Sequence, residues 1–418
     1  MLVLYTALHR LLGLTPGPIT DEMIDAAVAG QLAETDDLDW KSKLIPVKEL
    51  PTSEFPKDVA AMANRGGGVL VYGVRETAKR ASGRVDVGEF DERYEAALIS
   101  AAVSAISPPV FGVHAYWVGD PGNQVAVVVI PATSDVPHLI YKNDYFGAPL
   151  RNDAMTVWMK ERQVEAMYRA RFDERRHSSE ALDNLYAEAA ANWATPQRAW
   201  LIAVGHPQLP STAVRPSRDQ ARQVFEEARR NTLVYSGSGG IHPLESVEHL
   251  NPRPGLRRWV AANNALTDSR KWRESWAAVH HDGSVTLATG VGGQRTSTGH
   301  LEEYQIDSAA IEVAVSDFMG LVRASSKSLG LAEYDVRVGI RWAGATPLSV
   351  QNVDSRGYAF DSITPLAQYT PVERTVVADA DPVDFYWQVH DLAEDCINQG
   401  GIAEVQMIRP PMRPESEV

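Results

Sequence analysis

Residues 34–41 combine acidic and basic side chains of types that suit phosphate chemistry; the stretch reads Glu-Thr-Asp-Asp-Leu-Asp-Trp-Lys. Side chains alternate along a β-strand, so a strand over 38–44 would place Asp39, Lys41 and Lys43 on one face and the apolar residues on the other. An Asp-x-Lys pair on a strand occurs in a broad class of metal nucleases, in which the lysine stabilises charge developing on the phosphate. The same pair also fits an ordinary surface strand.

Four carboxylates in residues 34–39 suggest a metal site as a second feature. Carboxylate oxygens are ligands that Mg²⁺ and Mn²⁺ prefer, and a bound divalent cation can neutralise a phosphate and activate water for phosphodiester hydrolysis. The alternative is an exposed acidic loop, because a run of charges is usually a solvated surface.

A glycine run at 66–68 separates a helical pattern over 55–64 from an apolar run over 69–74. A phosphate-binding loop has the opposite order, strand and then helix, because the N–H groups of the helix must face the phosphate. The Gly-Lys-Ser/Thr ending of such loops is also absent. We therefore expect a glycine cap, a tight turn and a buried strand, and we expect no ATP site.

Together, residues 34–41 and 60–74 resemble the AlbA-type nucleic-acid-binding domain of the Schlafen family. The family pattern has an acidic pair around E-S-x-x-L-E-F-K, then A-F-A-N-x-x-G-G-x-L-x-x-G-V, then a third acidic residue. The second of these stretches here reads A-A-M-A-N-R-G-G-G-V-L-V-Y-G-V. The resemblance covers about residues 20–170 and implies an α/β domain with a mixed sheet.

The resemblance also implies a set of catalytic residues. In nuclease members of the family, three carboxylates form a metal-dependent RNase site, and the matching positions are Glu34, Asp39 and Glu76. These three would hold Mg²⁺ or Mn²⁺, and Lys41 would support the scissile phosphate. Asp39 is one methylene shorter than the family's Glu, and Glu76 is one methylene longer than its usual Asp, so charge is kept while length changes.

A basic surface is expected around these acids. Family members often carry an aromatic residue and an arginine before the final helix, as in Tyr145-Phe146 and Arg151, and aromatic rings could stack on unpaired bases. A basic helix over 160–176 either extends this face or is an ordinary solvated surface. The candidate phosphate contacts are Lys41, Lys43, Lys48, Lys57, Arg65, Arg75, Lys79, Arg80, Arg84 and Arg151.

Composition limits the class of protein. The chain has 418 residues, 44% of them hydrophobic, a formal net charge of −14 and a single cysteine, Cys396. The charge argues against general coating of nucleic acid, which needs a basic surface, but a local basic groove is compatible with it. One cysteine excludes an intrachain disulfide framework, and no apolar run approaches the ~20 residues of a membrane span. We expect a cytoplasmic protein without a signal peptide or a membrane partner.

Three segments are predicted. Residues 1–176 form the Schlafen/AlbA-type domain, 177–195 a connecting helix or linker, and 196–418 a separate α+β domain that resembles no family known to us. In the last segment, a strand at 200–204, a hairpin at Asp282-Gly283, a helix over 311–322, a strand over 336–342 and a helix over 385–397 are expected.

Three functions are compatible with the sequence. The first is a divalent-metal-dependent endoribonuclease that acts on structured RNA such as tRNA, in a toxic or phage-defence role that prokaryotic relatives imply. The second is a non-catalytic DNA-binding transcriptional regulator, and the third is an interaction protein that no longer binds nucleic acid. Retention of three acids favours the first function over the second, because carboxylates facing a phosphate backbone would repel DNA unless a metal intervened. RNA is expected as the partner rather than DNA. Homodimer formation is left open.

Overall fold

The computed structural model describes most of the chain as two compact units, Met1–Arg175 (unit 1) and Arg176–Val418 (unit 2). Helices and sheets occur in both units, so the predicted α+β class is confirmed. The domain boundaries near 176 and 196 stay a prediction. The described residues are 5–88, 92–142, 145–191, 193, 195–209, 215–237, 240–263, 273–296, 299–353, 359–360 and 364–411.

Unit 1 is built on a four-stranded sheet in the order β1-β2-β7-β6, in which β1 and β2 are parallel and the other pairs antiparallel. The helices are α1 (Ala7–Leu12), α2 (Asp21–Ala29), α3 (Phe55–Ala63), α4 (Glu92–Ser104) and the first half of α5 (Glu161–Ala190), whose second half belongs to unit 2; a 3₁₀ helix lies at Val47–Thr52. The strands are β1 (Leu38–Lys41), β2 (Gly68–Tyr72), β3 (Val74–Thr77), β4 (Arg80–Arg84), β5 (Ile106–Ser107), β6 (His114–Val118), β7 (Val125–Ile130), β8 (Leu139–Lys142), β9 (Tyr145–Gly147), β10 (Pro149–Asn152) and β11 (Met155–Trp158).

Helices cover both faces of this sheet. On β2, Val69 and Val71 pack with α1 and α2, whereas the alternate residues Leu70 and Tyr72 pack with α3 and α4. A strand that is covered on both faces needs apolar side chains at every position, which explains the continuous apolar run in the sequence.

Strand β1 confirms the predicted alternation but is shorter than predicted. Trp40 packs on the α1–α2 side, whereas Lys41 reaches Asp58 of α3 and pairs with Asp39. The strand ends at Lys41, so Lys43 lies outside it, in the bend that comes next in the chain. Lys41 and Lys43 were predicted for this face, and only Lys41 lies on the strand.

The glycine run forms the expected turn between α3 and β2. Gly66 and Gly67 adopt φ angles of +102° and +94°, which L-residues with side chains rarely adopt. A Cβ atom on Gly67 would lie 2.7 Å from the carbonyl oxygen of Ile130, so the backbone of β7 approaches closely here. The order is helix, turn and strand, as predicted.

Unit 2 is built on a seven-stranded antiparallel sheet in the order β13-β14-β15-β16-β12-β18-β22. Its further helices are α6 (Arg218–Tyr235), α7 (Pro243–Ser246), α8 (Ser308–Leu329) and α9 (Pro382–Asn398). Its strands are β12 (Trp200–Pro207), β13 (Arg253–Gly255), β14 (Arg258–Ala262), β15 (Ser275–His280), β16 (Val285–Gly290), β17 (Gln305–Asp307), β18 (Glu333–Arg341), β19 (Leu348–Val353), β20 (Ala359–Phe360), β21 (Pro365–Leu366) and β22 (Val372–Val377).

Each face of this second sheet is also covered. Leu201 of β12 packs with α6, α8 and α9, and Ile202 packs with the second half of α5. Helix α8 carries a buried carboxylate, Asp317, which accepts hydrogen bonds from the backbone N–H of Leu244 at 2.7 Å and pairs with Nδ1 of His242 at 2.8 Å. This hydrogen-bonded pair is part of the core of unit 2.

Among the described residues, every helix is too short or too polar to cross a bilayer.

Candidate nucleic-acid interface

An open cavity of ≈ 290 Å³ in unit 1 brings predicted site residues together. The end of β1 forms one wall and the β3–β4 hairpin another. The cavity contains three of the four predicted catalytic residues and, besides Lys41, two further predicted phosphate contacts. Its lining residues are Glu34, Trp40, Lys41, Ser42, Arg75, Glu76 and Lys79.

Glu34 is buried at the base of this cavity and is held by three contacts. Its backbone N–H donates to the carbonyl oxygen of Lys79 at 2.9 Å. Its carboxylate accepts a long hydrogen bond from the backbone N–H of Trp40 at 3.4 Å, and Oε2 lies 3.1 Å from Nζ of Lys79. The carboxylate is therefore fixed in position before any ligand binds.

The environment of Glu34 makes its proton available near neutral pH. Burial raises the pKa of Glu34 to about 7, with further contributions from a hydrogen bond with Glu76 and from the charge of Asp39. Lys79 opposes this shift because its ammonium favours the ionised carboxylate. Glu34 and Glu76 are thus a crowded acidic pair.

Lys79 lies at the tip of the β3–β4 hairpin and contacts both members of the acidic pair. Its ammonium lies 3.1 Å from Glu34 Oε2 and 3.8 Å from Glu76 Oε2. The turn places Ala78 and Lys79 at φ angles of +50° and +63°, a left-handed conformation that only turns commonly impose on such residues. The side chain is still 54% exposed, so the ammonium can move away from the acids into solvent.

Asp39 does not line the cavity but belongs to a charge cluster next to it, and Lys41 is part of both. Nζ of Lys41 lies 2.7 Å from Asp39 Oδ2 and 3.5 Å from Oδ2 of Asp58. Nη2 of Arg151 donates to Asp39 Oδ1 at 3.2 Å and makes a long contact, 3.4 Å, with the carbonyl oxygen of Thr35. Nζ of Lys57 also lies 3.7 Å from Asp58 Oδ1, so both carboxylates have cationic partners, as buried charges require.

The cluster keeps Lys41 charged at the cavity wall. Burial alone would lower the pKa of Lys41, but the charges of Asp58 and Asp39 outweigh it and raise the pKa. Burial also raises the pKa of the Asp58 carboxyl. Asp58 was missed in the sequence because an acid in the first turn of a helix is usually a solvated cap; its position among the buried apolar residues of α3 was the available signal.

Asn64, immediately after α3, ties the hairpins that carry Arg151 to this helix. Its side-chain amide donates to the carbonyl oxygens of His138 at 2.9 Å and Pro149 at 2.8 Å, and it accepts from the backbone N–H of His138 at 2.7 Å. The asparagine in the A-x-A-N stretch therefore has a structural role, which is to position β10 and with it Arg151.

The remaining predicted contacts are distributed over the surface and are largely engaged in ion pairs. Arg84 pairs with Asp21 and Asp25, Arg65 with Asp36, and Lys57 with Glu54 and Asp58. Arg80 donates to the carbonyl oxygen of Gln31 at 3.2 Å.

Lys43 and Lys48 are exposed outside the cavity, and the side chain of Tyr145 lies outside the described residues. Arg151 is buried and pairs with Asp39, so its guanidinium is not exposed to a phosphate.

Glu34, Asp39 and Glu76 do not form a close-packed group of metal ligands among the described side chains. The described residues contain one group of possible ligands whose atoms all lie within 4.8 Å of one another, and it is His390, Asp391 and Glu394 on α9. Glu34 and Glu76 are nevertheless a suitable donor pair. Glu34 Oε2 is buried and receives no regular hydrogen bond in the described part of the chain, although Lys79 lies near it. Metal binding by Glu34, Asp39 and Glu76 stays a prediction.

Solved structures with detectable similarity exist, but the likeness is low. The N-terminal domain of a putative ATP-dependent DNA helicase RecG-related protein from Nitrosomonas europaea is 18% identical, covering 34% of this chain and 90% of that one, with a TM-score of 0.24. The DIP2311 protein from Corynebacterium diphtheriae is 13% identical, covering 67% of this chain and 44% of that one, with a TM-score of 0.23. At these TM-scores neither likeness bears on fold or function. No curated protein matches the chain.

A protein-family model matches the segment of the chain that forms the cavity. The matched segment contains Glu34, the whole of β1, α3 and the β3–β4 hairpin, and it ends just before α5. No family match was found in unit 2. Residues 34–160 match the model of the Schlafen AlbA_2 family, so the resemblance predicted for the N-terminal part is confirmed, and this family suggests nucleic-acid binding.

Proposed function

We propose that unit 1 binds a phosphate backbone in the cavity and that the protein is a divalent-metal-dependent endoribonuclease acting on structured RNA such as tRNA. One observation carries the proposal: two carboxylates and three cations line a single open cavity. Carboxylates alone would repel a phosphate, and cations alone could bind but not hydrolyse it. The five residues are Glu34, Glu76, Lys41, Arg75 and Lys79.

Lys41 is the cation best suited to hold a phosphate oxygen. Asp39 and Asp58 fix its ammonium from behind, so little side-chain freedom remains to be lost on binding. Arg75 lies across the cavity on β3 and can contact a second oxygen. The role assigned to Asp39 and Asp58 is therefore to position Lys41.

Glu34 and Glu76 would hold the Mg²⁺ or Mn²⁺ ion. When bound, such an ion neutralises phosphate charge and supplies an activated water. Before that, Glu34 must release its proton, and the Lys79 ammonium must leave the acidic pair, as its exposure allows. Because the pKa of Glu34 is about 7, metal affinity should increase as the pH rises through neutrality.

A second function, a non-catalytic DNA-binding transcriptional regulator, is favoured by a different observation. Lys79 already contacts both Glu34 and Glu76, and Asp39 is neutralised by Lys41 and Arg151. The carboxylates therefore do not need a metal to tolerate a nearby phosphate. In that case the cavity binds a backbone and no bond is broken.

Cleavage assays separate the two functions. Purified protein is incubated with total tRNA and with a short duplex DNA, in Mg²⁺, in Mn²⁺ and in EDTA. The nuclease proposal predicts cleavage of RNA with metal only, and loss of cleavage in Glu34→Gln and Glu76→Gln. Glu49→Gln removes an equal charge from an exposed site outside the cavity and should cleave normally.

The outcomes assign the function as follows. Salt-sensitive binding of duplex DNA without cleavage, retained in Glu34→Gln, would replace the nuclease by the regulator. Absence of both binding and cleavage would reject both. The antiviral role rests on the family resemblance and predicts that phage plating on cells that express the wild type is reduced, but not on cells that express Glu34→Gln.

A further inference from the structure

Lys79 is the cation of the cavity that contacts the acidic pair, Glu34 and Glu76. Its ammonium lies 3.1 Å from Glu34 Oε2 and 3.8 Å from Glu76 Oε2. Among the described side chains, neither Lys41 nor Arg75, the other two cations of the cavity, forms an ion pair with these acids. An ammonium and a divalent ion that need the same carboxylates compete for them.

The backbone at the tip of the hairpin is fixed, so movement of this ammonium is confined to the Lys79 side chain. The carbonyl oxygen of Lys79 accepts the Glu34 N–H at 2.9 Å, and the Ala81 N–H donates to the carbonyl oxygen of Leu32 at 3.0 Å. These bonds join the hairpin to the segment that carries Glu34. Because the ammonium lies on a flexible four-carbon stem that is 54% exposed, it can leave the acids by side-chain rotation alone.

The turn conformation makes a lysine at position 79 unusual. Thr77 and Arg80 are paired, so Ala78 and Lys79 form a two-residue hairpin loop with φ angles of +50° and +63°. Such loops favour Gly, Asn and Asp, because the left-handed conformation strains residues with larger side chains. Since the turn disfavours lysine, the contact with two carboxylates is the feature of Lys79 that accounts for its presence.

Glu34 needs a compensating positive charge or a proton. Its side chain is 1% exposed, and within the described part of the chain Oε2 receives no hydrogen bond of regular geometry. An ionised carboxylate in such a place is unfavourable unless a cation lies beside it. Departure of the Lys79 ammonium therefore increases the affinity of the acidic pair for another cation, and entry of another cation releases the ammonium.

The phosphate proposed for this cavity is the anion that can receive the released ammonium. Lys41, Arg75 and Lys79 line the same open cavity of ≈ 290 Å³. A phosphate that is held by the first two cations therefore lies in the small space into which the third extends. A phosphate attracts the ammonium in competition with the two carboxylates.

We propose that Lys79 couples the two ligands of the cavity: its ammonium occupies the acidic pair in the free protein and moves to the phosphate of bound nucleic acid, which leaves Glu34 and Glu76 available to the metal. The inference rests on the proposed function and adds its regulation. Nucleic acid then increases the affinity for metal, and by linkage metal increases the affinity for nucleic acid by the same factor.

The test uses one substitution for which opposite effects on the two ligands are expected. Binding of Mn²⁺ to the whole chain without nucleic acid is followed by the EPR signal of the free ion at pH 8.5, above the Glu34 pKa of about 7, so that protons compete little. The binding that Glu34→Gln removes is assigned to the cavity. Lys79→Met should lower the Kd of the cavity for Mn²⁺ about five-fold or more, because the competing ammonium is absent.

The second measurement is fluorescence anisotropy with a fluorescein-labelled RNA stem–loop in EDTA. Lys79→Met should weaken RNA binding about two-fold or more and reduce the slope of its salt dependence by about one, because one phosphate contact is lost. Lys79→Gly removes the ammonium and suits the left-handed turn, so it should reproduce both effects.

Arg75→Met is the matched control, because it removes an equal charge from the same cavity at a residue that has no described ion pair with the acids. It should weaken RNA binding but change the Kd for Mn²⁺ by less than about two-fold, since a general effect of charge is screened by solvent. A gain in Mn²⁺ affinity equal to that of Lys79→Met would overturn the inference.

Unchanged affinity for Mn²⁺, or unchanged affinity for RNA, in both Lys79 variants would also overturn the coupling. In these cases the proposed function survives if Glu34→Gln still abolishes Mn²⁺ binding in the cavity. Absence of Mn²⁺ binding in the wild type and in both Lys79 variants would reject the proposed metal-dependent function together with the inference.

Discussion

Lys79 holds Glu34 through both its backbone and its side chain. Its carbonyl oxygen accepts the Glu34 N–H at 2.9 Å, and its ammonium lies 3.1 Å from Glu34 Oε2. The backbone contact fixes the position of Glu34, while the exposed ammonium can be exchanged for another cation. A site of this kind can keep its shape while the charge next to the carboxylate changes.

The raised pKa of Glu34 predicts that stability falls as pH rises. The folded-state pKa of about 7 lies above the ordinary value of 4.5, so the folded state binds the proton more tightly than the unfolded state. The free energy of unfolding should therefore decrease between pH 4.5 and about pH 7 and then level off, by at most ~3 kcal/mol from this group. Urea unfolding at a series of pH values measures the slope.

Glu34→Gln isolates this contribution. The amide does not titrate, so the free energy of unfolding of Glu34→Gln should not show this decrease. Relative to the wild type, the variant should therefore become more stable between pH 4.5 and pH 8. Glu49→Gln should retain the wild-type profile. Parallel profiles for the wild type and Glu34→Gln would show that Glu34 titrates at its ordinary pKa.

Arg151→Met should destabilise unit 1. Removal of the guanidinium leaves Asp39 buried with only Lys41 as its partner, and loss of one partner of a buried ion pair costs ~3 kcal/mol. Arg75→Met removes a cation from the open cavity and should change the free energy of unfolding by less than ~1 kcal/mol. Denaturant titration followed by tryptophan fluorescence compares the two; equal losses would contradict the buried role of Arg151.

Asn64→Ala should separate the hairpins from α3. The substitution removes three hydrogen bonds and leaves buried backbone groups of His138 and Pro149 without partners, at a cost of ~2–4 kcal/mol. Asn152→Ala, at an exposed position on β10, is the control and should be nearly neutral. Amide hydrogen exchange should show faster exchange in β8–β11 in Asn64→Ala; an unchanged pattern would contradict the clamp.

Gly66 and Gly67 offer a matched pair for the turn before β2. Both have positive φ, so alanine strains either position by ~1 kcal/mol or more. Alanine at Gly67 also collides with the backbone of Ile130, whereas a Cβ on Gly66 meets nothing within 4 Å. Gly67→Ala should therefore lower Tm clearly more than Gly66→Ala, and the reverse order would contradict the described turn.

Periodicity was sufficient to predict the elements that have strong patterns. The helix over 55–64, the buried strand over 69–74 and the hairpin at Asp282-Gly283 all occur, and the ends of the helix and the strand differ from the prediction by at most two residues. The short strands from β8 to β11 were not predicted, because their hydrogen bonds and the Asn64 clamp define them, and four-residue segments carry too little pattern.

The candidate site was predicted in part. Family resemblance located Glu34, Lys41 and Glu76 in one cavity, and local sequence supplied Arg75 and Lys79 as basic neighbours. The roles of Asp58 and Arg151 depend on contacts across 17 and 112 residues of chain with Lys41 and Asp39, which no local pattern reveals. Burial changed Arg151 from a predicted phosphate contact into a support for Asp39.

Binding of nucleic acid by Lys41→Met tests the central claim, that the cavity receives a phosphate, independently of any cleavage. Fluorescence anisotropy with labelled RNA in EDTA compares it with Lys48→Met, which removes the same charge from an exposed site outside the cavity. Loss of a fixed charged contact should weaken binding about five-fold or more in Lys41→Met and less than about two-fold in Lys48→Met. Equal Kd values for Lys41→Met and the wild type would show that nucleic acid does not bind in the cavity.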